Sequence, residues 1–229
     1  MDSVEIYTGT FGSGKTEIVL NRALDYAAKD LDVCVIDLDI TKPFFRSREH
    51  RNLLEDRGIS IVIPDGSLAE TDLPIVSPKI IGTLTSMRGK VLIDVGGDYQ
   101  GAIVLGRFAK MLKQRDCEMF FVINPYRPRS MDFTRVVSLI EQIETASRLE
   151  VSAIVSNPNL GSDTTLPDII EGFYKVKNLA HMLKIPIAFC SALAEFSPDL
   201  SKEIQVPVLE LMKMIVPPWE SQEIAIIPT

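Results

Sequence analysis

Short runs of Val, Ile, Leu and Phe, each closed by Asp, Asn, Gly or Pro, alternate along this chain with longer stretches where apolar residues return every three or four positions. The short runs predict strands at 4–8 (VEIYT), 32–38 (DVCVIDL), 90–95 (KVLIDV), 118–124 (EMFFVIN), 151–157 (VSAIVSN) and 185–190 (IPIAFC). Most are apolar on both faces, the pattern of strands buried between two helical layers. The longer stretches predict helices over 15–30, 102–115, 130–148 and 166–184. In the first, Leu20, Leu24 and Ala27 share one face, at the spacing of an amphipathic helix. Strand–helix alternation implies an α/β fold with a doubly wound, mostly parallel sheet and right-handed crossovers. The segment 40–90 is less regular: it offers a short strand in SIVIP and a proline-containing loop, DLPIVSPK. No repeat, low-complexity run or linker interrupts the chain, so a single domain over 1–229 is expected, with an extended strap from about residue 216 onward.

Composition narrows the partners. The chain has 229 residues, 46% of them hydrophobic, enough for one sizeable core. Its net charge of −7 leaves no basic stripe for a nucleic-acid backbone. No run reaches the ~18–20 apolar residues of a membrane span, and the N-terminal residues read directly as a strand rather than a leader. Cys34, Cys117 and Cys190 lie far apart, without zinc or iron–sulfur spacing, and read as free thiols. A cytoplasmic protein is expected, without nucleic-acid or membrane partners.

The candidate chemistry begins at GTFGSGKT, residues 9–16. It fits GxxxxGK[ST], follows a strand and opens a helix, the setting in which such a loop cradles phosphates. Gly9, Gly12 and Gly14 permit positive φ and close backbone approach, and the helix N-terminus contributes partial positive charge. The surrounding residues Thr10, Phe11 and Ser13 complete the cradle. Lys15 is the candidate for the β- and γ-phosphates, and Thr16 for a magnesium ligand. Two acidic strand ends follow. VLIDVGGD supplies Asp94, a candidate magnesium-holding carboxylate followed by Gly96 and Gly97; VIDLDITKPFF supplies Asp37 and Asp39. Both fall at the carboxyl edge of the sheet, where such folds bind ligands. Asp39 is placed to orient an attacking water or to contact the metal. Arg46, Arg48 and Arg51 in the loop beyond it, and Arg127 and Arg129 in NPYRPRS, face a partner or a substrate or are ordinary solvated loop residues. His50 and His181 have no metal-ligand companion at workable spacing.

The order of loop, DLDITKP and DVGGD resembles the CobQ/CobB/MinD/ParA family of nucleotide-binding proteins, which includes the nitrogenase iron protein, dethiobiotin synthetase and metal-centre maturation ATPases. The resemblance runs over roughly residues 3–215. It implies a Rossmann-like P-loop NTPase, usually an ATPase, often dimeric when nucleotide is bound. By it Asp39 takes the place of the family's water-orienting switch aspartate and Asp94 that of its magnesium-linked aspartate. IVSNPN resembles the strand end whose asparagine contacts the base, making Asn157 either an adenine contact or a turn-forming Asn before Pro158. In IAFCSAL, Ser191 and Ala192 fall where the family lays backbone over the base. One departure stands out: where MinD/ParA members carry an extra lysine that reaches across a dimer, this chain has Thr10, closer to the dethiobiotin synthetase branch. NPNL at 157–160 is not a guanine-reading NKxD motif, so ATP is expected over GTP. Three functions fit: an ATP- and Mg²⁺-dependent switch read by a protein partner, with a homodimer as one form; a small-molecule ligase or kinase of the dethiobiotin synthetase type; or a nucleotide-binding module without hydrolysis.

Overall fold

Strands and helices alternate as the pattern predicts. The computed structural model describes residues 2–39, 48–63, 77–96 and 99–215. In chain order it has β1 (Ser3–Gly9), α1 (Lys15–Ala27), β2 (Val33–Leu38), α2 (Arg48–Glu55), β3 (Ile59–Val62), α3 (Pro78–Ser86), β4 (Lys90–Val95) and α4 (Tyr99–Gly106). There follow α5 (Ala109–Leu112), β5 (Asp116–Ile123), α6 (Phe133–Ser147), β6 (Ala153–Ser156), α7 (Leu166–Leu183), β7 (Ile187–Leu193), α8 (Ser197–Glu203) and β8 (Val208–Leu211). All the strands join one eight-stranded sheet in the order β3-β2-β4-β1-β5-β6-β7-β8. Every pairing in it is parallel. This is the α/β fold of the P-loop NTPases.

The two-residue period of the strands sorts side chains onto two cores. Val4, Ile6, Cys34, Ile36, Val91, Ile93, Phe121 and Ile123 face the layer built from α3 to α7. Val33, Val35, Leu92, Phe120, Val122 and Val155 face the other layer, which Ile18, Val19, Leu20, Ala23 and Leu24 of α1 cover. A third group, with Phe173, Cys190 and Leu200, seals the end near β7. The same alternation puts Asp37 and Asp94 on the α1 side of the sheet, at the carboxyl ends of neighbouring strands.

Several expectations need correction. The single helix over 102–115 is two, α4 and α5, broken at Arg107–Phe108. Gly106 packs so closely on the Ala146 carbonyl oxygen of α6 that no side chain fits there. The chain tightens through Phe108 N–H to Leu105 O at 2.9 Å, and Phe108 plugs the core. The segment 40–90, read as irregular, carries α2 and α3. Pro78, taken as loop punctuation, opens α3, where its missing N–H is harmless. β8 went unread; it adds an edge strand beyond β7. Past it, Met212 N–H donates to Asn21 Oδ1 at 2.7 Å, and the N–H groups of Met214 and Ile215 donate to the Glu17 carboxylate at 2.6 and 3.0 Å. The chain is therefore strapped onto α1 before the position expected; residues 216–229 lie outside the described residues.

Candidate functional site

The loop between β1 and α1 turns on glycine at three positions, two of which have no room for a side chain. Gly9, Gly12 and Gly14 have φ of 138°, 74° and 90°. A β-carbon on Gly9 would run into the Val122 carbonyl oxygen of β5, and one on Gly14 into the Asn157 amide. Gly14 is the left-handed N-cap of α1, so the free N–H groups of the first helical turn open onto the loop. The buried Lys15 bends back over it, its Nζ donating to Thr10 O at 3.0 Å and Gly9 O at 3.4 Å. Its ammonium thus sits over the cradle. Phe11 is 68% exposed at the loop's tip.

Register brings the acids to this loop. Tyr7, Asp94 and Asp37 are laterally aligned on β1, β4 and β2. Thr16, in the first turn of α1, donates its hydroxyl to Asp94 Oδ2 at 2.7 Å. Burial pushes the Asp94 carboxyl up to about 6, against the opposing pull of the Thr16 hydrogen bond and the Lys15 charge, with Asp39 adding to the rise. Its Oδ1 has no hydrogen-bond partner among the described residues. Asp37 accepts the Asp39 N–H at 2.9 Å and fixes the turn out of β2. Asp39 is half-buried, and its Oδ1 lies 3.4 Å from where a β-carbon on Gly96 would stand. The donor set suits a hard divalent cation such as magnesium. Thr16 gives its proton to Asp94 and keeps its lone pairs, and the buried Asp94 has an oxygen to spare. Among the described residues no three His, Cys, Asp or Glu gather to hold a metal unaided.

The opposite wall is made by strand ends. Asn157, buried after β6, donates from Nδ2 to Ser13 O at 2.7 Å and accepts at Oδ1 from the Ser191 hydroxyl at 2.9 Å. The amide is thereby turned onto the loop backbone, and Ser191 ties it to β7. Asn124, after β5, donates to Asn159 O at 2.8 Å and accepts from Tyr126 N–H at 3.0 Å. Arg127 lays its Nε on Gly12 O at 3.0 Å, while the rest of the side chain stays exposed.

Gly9 to Thr16, Asp39, Asp94, Asn157 and Ser191 thus meet at one sheet edge, as their order along the chain suggested. Ala192 lies buried in β7 beside Ser191. His181 sits in the last turn of α7, remote from the loop in the fold. Gly97 and Arg46 lie outside the described residues, as do the side chains of Arg48 and His50. Two participants were not read from the sequence: the roles of Asn124 and Arg127 as loop supports. The signal for the first was present, because β5 and β6 both end in Asn-Pro, at 124–125 and 157–158.

No family model matches this sequence, and no curated protein matches it. Solved structures do. Chloroplast FtsY from Physcomitrella patens is similar over 83% of this chain and 58% of its own, at 15% identity and a TM-score of 0.57. The signal recognition particle 54 kDa protein from Aeropyrum pernix K1, in complex with GDP, is similar over 82% of this chain and 41% of its own, at 17% identity and 0.57. The signal recognition particle receptor FtsY from Elizabethkingia anophelis, in complex with GDP, is similar over 83% of this chain and 57% of its own, at 17% identity and 0.51. The chain therefore spans under two thirds of each of these relatives, and the likeness is one of fold. Among the described residues no helix is long and apolar enough to cross a membrane.

Proposed function

We propose that this chain is a Mg–ATP-binding P-loop ATPase whose nucleotide state is read by a protein partner in the cytoplasm. The observation that carries the reading is the Thr16–Asp94 pair: a hydroxyl and a buried carboxylate, 78 positions apart, at 2.7 Å beside a loop with three left-handed glycines. In this reading Gly9 to Thr16 wrap the phosphates, Lys15 leaves the loop carbonyls for the β- and γ-phosphates, and Thr16 and Asp94 hold magnesium. When bound, that cation supplies charge neutralisation at the phosphates. Asp39, held by Asp37, orients water toward the γ-phosphate. The switch a partner reads is assigned to the segments after Asp39 and Gly96, which lie outside the described residues. The kinship with the CobQ/CobB/MinD/ParA family belongs to this reading, as does a single domain over the whole chain.

ATP is favoured because no carboxylate follows Asn157 in the spacing that reads guanine. Two similar structures hold GDP, so GTP is the competing nucleotide. The test is single-turnover hydrolysis by wild type and Asp39→Ala with each nucleotide. The reading expects Asp39→Ala to retain binding and lose hydrolysis. Equal hydrolysis by the two proteins would remove Asp39 from the role.

A further inference from the structure

The phosphate loop has a second hollow beside it. Thr10 forms one wall, Arg129 the rim, and Arg135, Ser138, Leu139 and Gln142 of α6 the other wall, around a cavity of about 360 Å³. These helix residues share one face at spacings of three and four, with Leu139 as an apolar patch among polar groups. The volume is that of a small-molecule site. The chain as a whole is acidic, yet two arginines, Arg129 and Arg135, line this hollow. Arg127 is engaged on Gly12 O. Arg135 faces Asp132, the acid at this edge, at 3.7 Å, with both side chains about half exposed, which makes a weak pair that leaves it open to another anion.

Arg129 is the telling residue. Among the described residues, four that are not glycine have positive φ: Asp30, Arg129, Arg148 and Lys184. Arg148 and Lys184 are the left-handed C-caps of α6 and α7, and Asp30 follows the end of α1. Left-handed residues are ordinary at helix ends. Arg129 alone, at φ 63°, ends no helix. Its turn is pinned on both sides: Arg127 N–H donates to Asn124 O at 3.1 Å, and the Ser130 hydroxyl donates to Arg127 O at 2.8 Å. Glycine would adopt this backbone without strain, so the turn by itself does not call for an arginine.

We propose that this hollow is a binding site for a small anion bearing a carboxylate or phosphate group, gripped by Arg129 and Arg135 and sharing Thr10 with the phosphate loop. The site rests on the nucleotide reading only for its coupling, since Thr10 belongs to both. It gives the small-molecule ligase or kinase reading its missing substrate position.

The experiment uses the full chain labelled with ¹⁵N and saturated with the magnesium complex of a non-hydrolysable ATP analogue, so that the α-, β- and γ-phosphate positions of the loop are all filled. Succinate is titrated in one arm and inorganic phosphate in the other. Expected are saturable shifts of the Thr10, Arg129, Arg135, Ser138 and Gln142 amides with at least one probe, the responding arm naming the group. Arg129→Gly and Arg135→Ala each weaken that binding by at least about tenfold. Arg129→Gly also raises the melting temperature, because it relieves the left-handed backbone; a purely structural arginine would lower it. Unchanged groove amides with both probes to tens of millimolar, or wild-type binding by Arg129→Gly, would overturn the site. Failure of the ATP analogue to bind would count against the nucleotide reading instead, and the succinate titration would still decide the hollow.

Discussion

Replacing Asn157 by alanine separates a residue that holds the loop from one that reads a base. The side chain makes two buried hydrogen bonds, to Ser13 O at 2.7 Å and from Ser191 Oγ at 2.9 Å. Each contributes about 1 kcal/mol net, and stranding a buried acceptor such as the Ser13 carbonyl adds roughly 1–3 kcal/mol. The Ser191 hydroxyl keeps a fallback in Ser156 O at 3.4 Å, so its loss is the smaller part. Together Asn157→Ala should destabilise the protein by about 2–4 kcal/mol, or roughly 5–12 °C in melting temperature. Ser191→Ala should lose only about 1 kcal/mol. With the double variant, the coupling should be about 0.5–1 kcal/mol, because both bonds pass through one amide. Loosening the Ser13–Gly14 backbone also misaligns the N–H groups that face the phosphates, so Mg–ATP should bind about tenfold more weakly. Urea unfolding followed by circular dichroism gives the first quantity and calorimetric titration the second. Stability within about 0.5 kcal/mol of wild type, with only the ATP-to-GTP preference changed, would refute the brace and assign Asn157 to the base.

Two further expectations concern buried carboxylates. Asp94→Asn should stabilise the ligand-free protein at pH 7.5 while removing the magnesium dependence of nucleotide binding. The carboxyl titrates near 6 in the fold against 3.8 when free, so the folded chain holds its proton more tightly, and this group's contribution to stability falls as pH rises between those values. The gain for Asn is about 3 kcal/mol at most; a lower melting temperature for Asp94→Asn at pH 7.5 would contradict it. Glu5 accepts from Tyr7 at 2.6 Å, from Tyr26, and from Arg22 at 3.3 Å, tying β1 to α1 beneath the loop. Glu5→Ala strips two phenols of their acceptor and leaves Arg22 only the longer contact to Asp25 at 3.7 Å, and should lose about 2–4 kcal/mol in urea unfolding; a loss under about 1 kcal/mol would show the network to be dispensable.

The parts legible in the sequence were those fixed by local pattern. The doubly apolar strands needed two helical layers, and the loop of residues 9–16 needed its strand and helix. Asp94 was legible because it ends a strand that the period of two turns toward α1. What was not legible depended on packing between distant segments. The break after Gly106 comes from the backbone of α6, 40 positions on, and nothing within 102–115 announces it. β8 has only four residues, with the exposed Glu210 among them, so its apolar signal is short. Asn157 and Ser13 meet only because β6 lies beside β5 and β5 beside β1. An Asn before a Pro reads as a turn until that order is known. Arg127 was visible as a loop arginine, but its seat on Gly12 follows from the turn that Asn124 sets.

Calorimetric titration of Mg–ATP, with Mg–GTP alongside, into wild type and Lys15→Ala decides whether the loop after β1 is a working magnesium–nucleotide site. Binding to wild type should depend on magnesium, favour ATP, and be lost in Lys15→Ala while its circular dichroism spectrum is unchanged. Absence of binding to wild type, or undiminished binding to Lys15→Ala, would contradict that reading.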